Sequence, residues 1–176
     1  PPAAASAAVE LARQRADDPG DSLDRAANAH ERMDDMIEGL LALATAGETV
    51  DELDRVSLDG TVRRVWSRLE TGEATLRVEG DATALADRDR LEQLLSNLFR
   101  NAIEHGGDDV RVTVSVAVEA DGVAVAVGDD GPGIPPEERE RVTERGVSLG
   151  GGTGLGLAIV GDIVEAHGWT LSVGES

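Results

Sequence analysis

The chain has 176 residues, of which 40% are apolar but only 2% aromatic, so any core must be built from Val, Leu, Ile and Ala. There is no cysteine, which excludes disulfides, thiolate nucleophiles and Cys-based zinc sites together, and His30, His105 and His167 stand too far apart for a metal-ligand spacing. All 16 basic residues are Arg, and against 35 acidic residues they leave a net charge of −19. Such a surface repels nucleic-acid phosphate and disfavours contact with an anionic membrane.

Strong acidity without lysine is the composition expected of a protein from a high-salt cytoplasm, where screening tames self-repulsion, the bland alternative being an acidic protein from an ordinary cytosol. No run of eighteen apolar residues occurs, and the first residues do not read as a signal peptide. The expectation is a soluble cytoplasmic segment, whose parent can still be membrane-tethered elsewhere.

In chain order, Pro1 and Pro2 precede AAASAAVELARQRA, a good helix former with Pro at its start. Pro19-Gly20 breaks it, and Asp21 or Ser22 can cap a second helix. In that helix Leu23, Ala26, Ala27, His30, Met33, Ile37, Leu40, Leu41 and Ala44 recur at three-four spacing. The stripe needs a partner, and a dimeric four-helix bundle supplies one. The second arm runs about 22 residues, roughly 33 Å, and the first only about 14, which suggests that the chain begins partway along a helix.

This divides the chain into a partial dimerisation hairpin over 1–46, a polar linker over 47–54 and an α/β domain over 55–176. In the last unit, Arg55-Val56 reads as a short strand, and Ser57 as the N-cap of a helix over 58–69. ATLRVEG alternates as a strand, and Asp89 can start a helix from 90 to about 105. Leu91, Leu94, Leu95, Leu98 and Ile103 make its buried stripe. Two period-2 runs, 110–118 and 123–127, flank an Asp121-Gly122 turn and predict a hairpin. A glycine-rich stretch then leads into a helix over 155–167 and a strand over 169–173. The pattern predicts an α+β fold whose mixed sheet is covered on one face by helices.

Three segments carry candidate chemistry. In LEQLLSNLFRNAIEHG, Asn97 and Asn101 are four apart and share a helix face, so their carboxamides can serve a hard cation and a phosphate; such pairs are also common as plain polar surface. In GDDGPGIP, Asp129 ends a strand where a carboxylate can accept from an exocyclic amine, and Gly131 and Gly133 permit a tight turn and the close approach of a planar ring. The bland alternative is an Asx turn. In GVSLGGGTGLGLAIV, a glycine run enters directly a helix whose N-terminus offers free N–H groups to phosphate. No Lys follows the glycines and no strand precedes them, so neither a Walker loop nor a dinucleotide fingerprint fits.

The ordered set NLFRNAIEHG, DDGPGIP and GTGLGLAIV resembles the ATP-binding catalytic domain of sensor histidine kinases, in the superfamily shared with gyrase B, Hsp90 and MutL. LDRAANAHERMDDMIEGLLALA resembles the second helix of the dimerisation and phosphotransfer hairpin of those kinases, and the sequence style is haloarchaeal. The resemblance implies a Bergerat-type α/β sandwich preceded by an antiparallel helical hairpin, with ATP and Mg²⁺ as cofactors. Asn101 is then the metal ligand, Asn97 its companion and Asp129 the reader of the adenine amine. Gly131 and Gly133 lie under the base, while Gly152, Thr153, Gly154, Leu155 and Gly156 belong to the lid. His105 falls near the phosphates, or is a helix-end histidine of no catalytic consequence.

Glu104 stands where many members have a phosphate-touching Lys, and either acts as general base or is a solvated carboxylate. The acceptor His of the family precedes a Pro that Pro2 resembles, so it is expected a few residues before Pro1; a further strand is expected after WTLSVGES. The implied activity is autophosphorylation on that His, by a homodimer joined through the hairpin, with relay to an Asp of a response-regulator receiver domain. Two other readings stand beside it. A hydrolytic switch of the gyrase or Hsp90 type is opposed by Asn97, an amide where those relatives have a water-activating Glu. A non-catalytic dimeric module that binds or senses ATP is the second.

Overall fold

The computed structural model describes residues 50, 53–107, 109–120, 122–136, 138–139 and 156–174. The helical hairpin expected over 1–46 lies outside them. The described elements are, in order, strand β1 (Asp54–Ser57), helix α1 (Leu58–Trp66), strands β2 (Thr75–Glu79) and β3 (Thr83–Ala86), helix α2 (Arg88–Gly106), strands β4 (Arg111–Glu119) and β5 (Gly122–Asp129), and helix α3 (Gly156–Ala166).

β2 runs parallel to β4, and β4 pairs antiparallel with β5, so the three form a mixed sheet in the order β2-β4-β5. β1 and β3 make a separate antiparallel pair with Val56 opposite Ala84. This is the Bergerat-type sandwich, a mixed sheet with helices on one face. The period-2 pattern explains which face: Val112 and Val114 of β4 are fully buried, whereas Thr75, Arg77 and Glu79 of β2 point outward. The cover ends partway along the hairpin, where Val118 is 74% exposed.

Local chemistry sets the helix starts. Ser57 Oγ accepts the Gly60 N–H at 3.3 Å and caps α1. α2 begins earlier than the sequence predicts, because its N-cap is Asp87 rather than a residue at 89. The Asp87 carboxylate accepts the N–H groups of Asp89 and Arg90 at 3.0 and 3.1 Å, leaving Asp89 as a first-turn acid. α1 ends at Trp66 rather than 69, since Arg68 and Leu69 donate to carbonyls three residues back and tighten the chain out of the helix.

Phe99 of α2 is fully buried and meets Trp66 edge-on at 5.4 Å. Leu91, Leu94 and Leu95 are buried as the stripe predicts, but Leu98 and Ile103 are only partly so, and Phe99 and Ala102 complete the face. α2 packs against α1 on one side and α3 on another, which widens its apolar surface beyond a single stripe.

Two strand expectations change, and one strand is present that the sequence does not predict. β3, with the sequence TALA, carries almost no β signal and exists because β1 offers it a ladder. Residues 169–173 alternate, but find no ladder partner among the described residues and are not a strand. In the hairpin Glu119 faces Gly122, so Gly122 opens β5 instead of forming the turn.

Candidate nucleotide site

The site is built along α2. Asn97 is only 6% exposed, so it is no part of a polar surface. Its Nδ2 donates to the Gln93 carbonyl one turn back at 3.0 Å, and this bond fixes the amide plane. A Cβ placed on Gly156, the first residue of α3, would stand 3.5 Å from Asn97 Oδ1 and 3.3 Å from Asn101 Oδ1. Both carboxamides therefore converge on the start of α3, where the helix offers its unpaired N–H groups. Neither amide oxygen accepts a hydrogen bond among the described residues.

The second wall is the turn after β5. Asp129 is half-buried, and its Oδ1 accepts the Gly131 N–H at 3.0 Å in an Asx turn. Asp130 does something different: it accepts the Arg111 N–H at 2.7 Å at the exposed start of β4. The two neighbouring acids are thus separated by role, one facing the α2 side and one spent on β4. A Cβ on Gly131 would stand 2.6 Å from the Cα of Gly106, so the turn rests directly on the last residue of α2. Gly133 lies beyond with φ 70°, and the Ile134 carbonyl accepts from Arg139 Nε at 2.9 Å.

The structure thus brings Asn97, Asn101 and Gly156 together at one place, and Asp129 and Gly131 together at the C-terminal end of the same helix. Glu104 and His105 are exposed on the last turn of α2. Gly152, Thr153, Gly154 and Leu155 lie outside the described residues. Gly106 is a site residue that the motif reading passes over. The Gly106-Gly107 pair after the helix was its signal, but its meaning is tertiary.

A hard cation fits this set only in a particular way. Among the described residues no three His, Cys, Asp or Glu side chains cluster as metal ligands. The carboxamide oxygens can hold one edge of a cation whose remaining partners are phosphate and water. No described helix is long and apolar enough to cross a membrane.

Residues 86–176 match the family described as histidine kinase-, DNA gyrase B- and HSP90-like ATPase. The chain belongs to this family. It is 34% identical over 183 residues to the sensor protein IrlS of Burkholderia pseudomallei, covering 96% of the chain and 39% of IrlS. To the sensor histidine kinase CpxA of Escherichia coli it is 31% identical over 168 residues, covering 84% of the chain and 35% of CpxA. Among solved structures, the mycobacterial sensor histidine kinase MprB superposes with a TM-score of 0.61 at 30% identity, over 66% of this chain and 80% of that one. Full-length ShkA in complex with AMPPNP gives 0.67 at 32% identity, over 83% of this chain and 32% of ShkA.

The chain therefore spans well under half the length of the curated relatives it matches. IrlS and CpxA are bacterial, so the haloarchaeal style of the composition gains no support from them.

Proposed function

We infer that this chain is the ATP-binding catalytic part of a protein-histidine kinase of a two-component system. The observation that carries this reading is the convergence of Asn97, Asn101 and the N-terminus of α3, with Asp129 and its glycine turn on the same helix. Asp129 accepts the adenine amine, and the flat backbone of Gly131 and Gly133 lets the ring lie close. The α3 N–H groups and the 152–156 lid bind the phosphates. Mg²⁺ bound there, with Asn101 as ligand and Asn97 beside it, offsets charge on the phosphate oxygens.

Transfer needs an acceptor imidazole, carried by the helical dimerisation segment of the whole kinase. Its neutral nitrogen attacks the γ-phosphorus in line, forming the N–P bond as the bond to the ADP oxygen breaks. In this reading Glu104, exposed at the end of α2, receives the imidazole proton from such a docked partner, and His105 lies beside it near the phosphates. Catalysis is mostly positioning and charge stabilisation. The homodimer forms through the hairpin over 1–46, the phosphoryl group passes on to a response-regulator Asp, and the whole acts on the cytoplasmic side. The strong acidity of the chain supports assay at high salt.

The test is labelled ATP given to the full-length kinase at high salt with magnesium. The expected product is an acid-labile, alkali-stable phosphohistidine, lost in Asn101→Ala and Asp129→Asn. Binding of ATP without any label on protein would contradict the kinase and favour the non-catalytic module, whereas release of phosphate alone would favour a hydrolytic switch.

A further inference from the structure

His167 has no part in the reading above, yet it makes well-defined polar contacts. Its Nδ1 lies 2.8 Å from the Ile163 carbonyl, which can only accept, so Nδ1 carries the hydrogen. Its Nε2 lies 3.1 Å from the Asp87 backbone N–H, which can only donate, so Nε2 presents a lone pair. These two contacts together define a neutral ring in a single tautomer. A protonated ring would aim a second N–H at the Asp87 N–H.

The ring is held in place by the end of its own helix. Trp169 N–H donates to the Val164 carbonyl and Gly168 N–H to that of Glu165, both at 2.9 Å, with Gly168 at φ 67°. That is a Schellman ending. It turns the chain back so that Trp169 stacks on the imidazole, with centroids 4.1 Å apart and planes 25° from parallel.

The consequence follows from the positions of the two helices. The C-terminal end of α3 is tied at Asp87, the N-cap of α2, while its first residue, Gly156, faces Asn97 and Asn101. The two helices are therefore antiparallel. From Asp87 to the midpoint of the Asn pair is about 18 Å of helix, and from Gly156 to His167 about 16 Å, so the rods are matched in length. A slip of one residue moves α3 by about 1.5 Å, enough to carry Gly156 away from the carboxamides.

We propose that His167 is a positioning residue for the nucleotide site: its neutral, Nδ1-protonated imidazole locks α3 in register with α2, and so aims the N-terminus of α3 at Asn97 and Asn101. This rests on the ATP reading for its functional effect, but the lock itself is a property of the unliganded chain. A phenyl ring keeps the stack on Trp169 and loses both hydrogen bonds. A Gln can accept from Asp87 and donate to Ile163.

The experiment uses the 176-residue chain and its His167→Phe and His167→Gln variants. Nitrogen-15 NMR of the wild type should show the His167 ring neutral with Nε2 unprotonated. The side-chain amide signals of Asn97 and Asn101, without nucleotide, should shift in His167→Phe and return in His167→Gln. ATP affinity by calorimetry should fall roughly tenfold in His167→Phe, equivalent to about 1.4 kcal/mol, and be largely restored in His167→Gln.

A ring protonated at Nε2, or amide signals that do not move in His167→Phe, overturns the proposal. Equal loss in both variants, or ATP affinity unchanged in a wild type that binds and a His167→Phe that folds, also overturns it. If His167→Phe does not fold, the wild-type tautomer and the His167→Gln signals decide. Failure of the wild type to bind ATP, with the tautomer and amide shifts as expected, would sink the nucleotide reading and leave the register lock standing.

Discussion

The two ends of α2 are secured by opposite means. At the N-terminal end the contacts are side-chain hydrogen bonds and ion pairs: the Asp87 cap, the His167 imidazole, and Glu92 bridging Arg64 and Arg68 at 2.6 and 2.7 Å. At the C-terminal end the contact is close packing on glycine backbone, Gly131 and the Val110 side chain both on Gly106, with no room for a methyl group on either glycine. The first end depends on chemistry that another residue of similar shape can supply. The second depends on the absence of a side chain, and no substitution can reproduce that. A nucleotide site benefits from both, since one end sets helix register and the other sets how close a flat ring can come.

Gly131→Ala should have the largest effect. Its Cβ would stand 2.6 Å from a backbone atom, so either the turn or α2 must move. The expected cost is about 1–3 kcal/mol of stability with ATP binding lost, read by thermal melting and calorimetry. An alanine variant that binds ATP normally would show the close approach to be dispensable.

At the other end Asp87→Ala should cost about 1 kcal/mol, by leaving the Asp89 and Arg90 N–H groups uncapped. Asp87→Asn should melt within a few tenths of a kcal/mol of the wild type, because an Asn oxygen caps equally well. If Asn and Ala are equally harmful, the N-terminal end is not the forgiving one. Smallest of all should be Arg68→Ala: this guanidinium is exposed and Arg64 still pairs Glu92, so the change should stay near 0.5 kcal/mol in a denaturant titration.

The same contrast explains what the sequence reveals. Features that act through local chemistry are legible: the Ser57 cap, the alternation of β4 and β5, the Asn pair four apart, and Asp129 at the end of a strand. Features that depend on what lies across the fold are not. The burial of Asn97 is not legible until α3 is seen to cover it, and Gly106 is a helix-end glycine until Gly131 is seen to rest on it. β3 has a sequence too short and too mixed to read as a strand, and forms because β1 is beside it. Residues 169–173 fail in the other direction, with the right alternation and no ladder partner among the described residues. His167, a lone histidine with no ligand spacing, is legible as a lock only once Asp87 is beside it.

The decisive experiment is calorimetry of Mg-ATP binding to the wild-type chain and to Asp129→Asn at high salt. Asp129→Asn keeps the shape and the Asx turn of the carboxylate but weakens its acceptance from an exocyclic amine. The account predicts measurable ATP uptake by the wild type and a loss of tenfold or more in the variant, of the order that one charge-assisted hydrogen bond supplies. Equal uptake by the two chains, or none by the wild type, would contradict it.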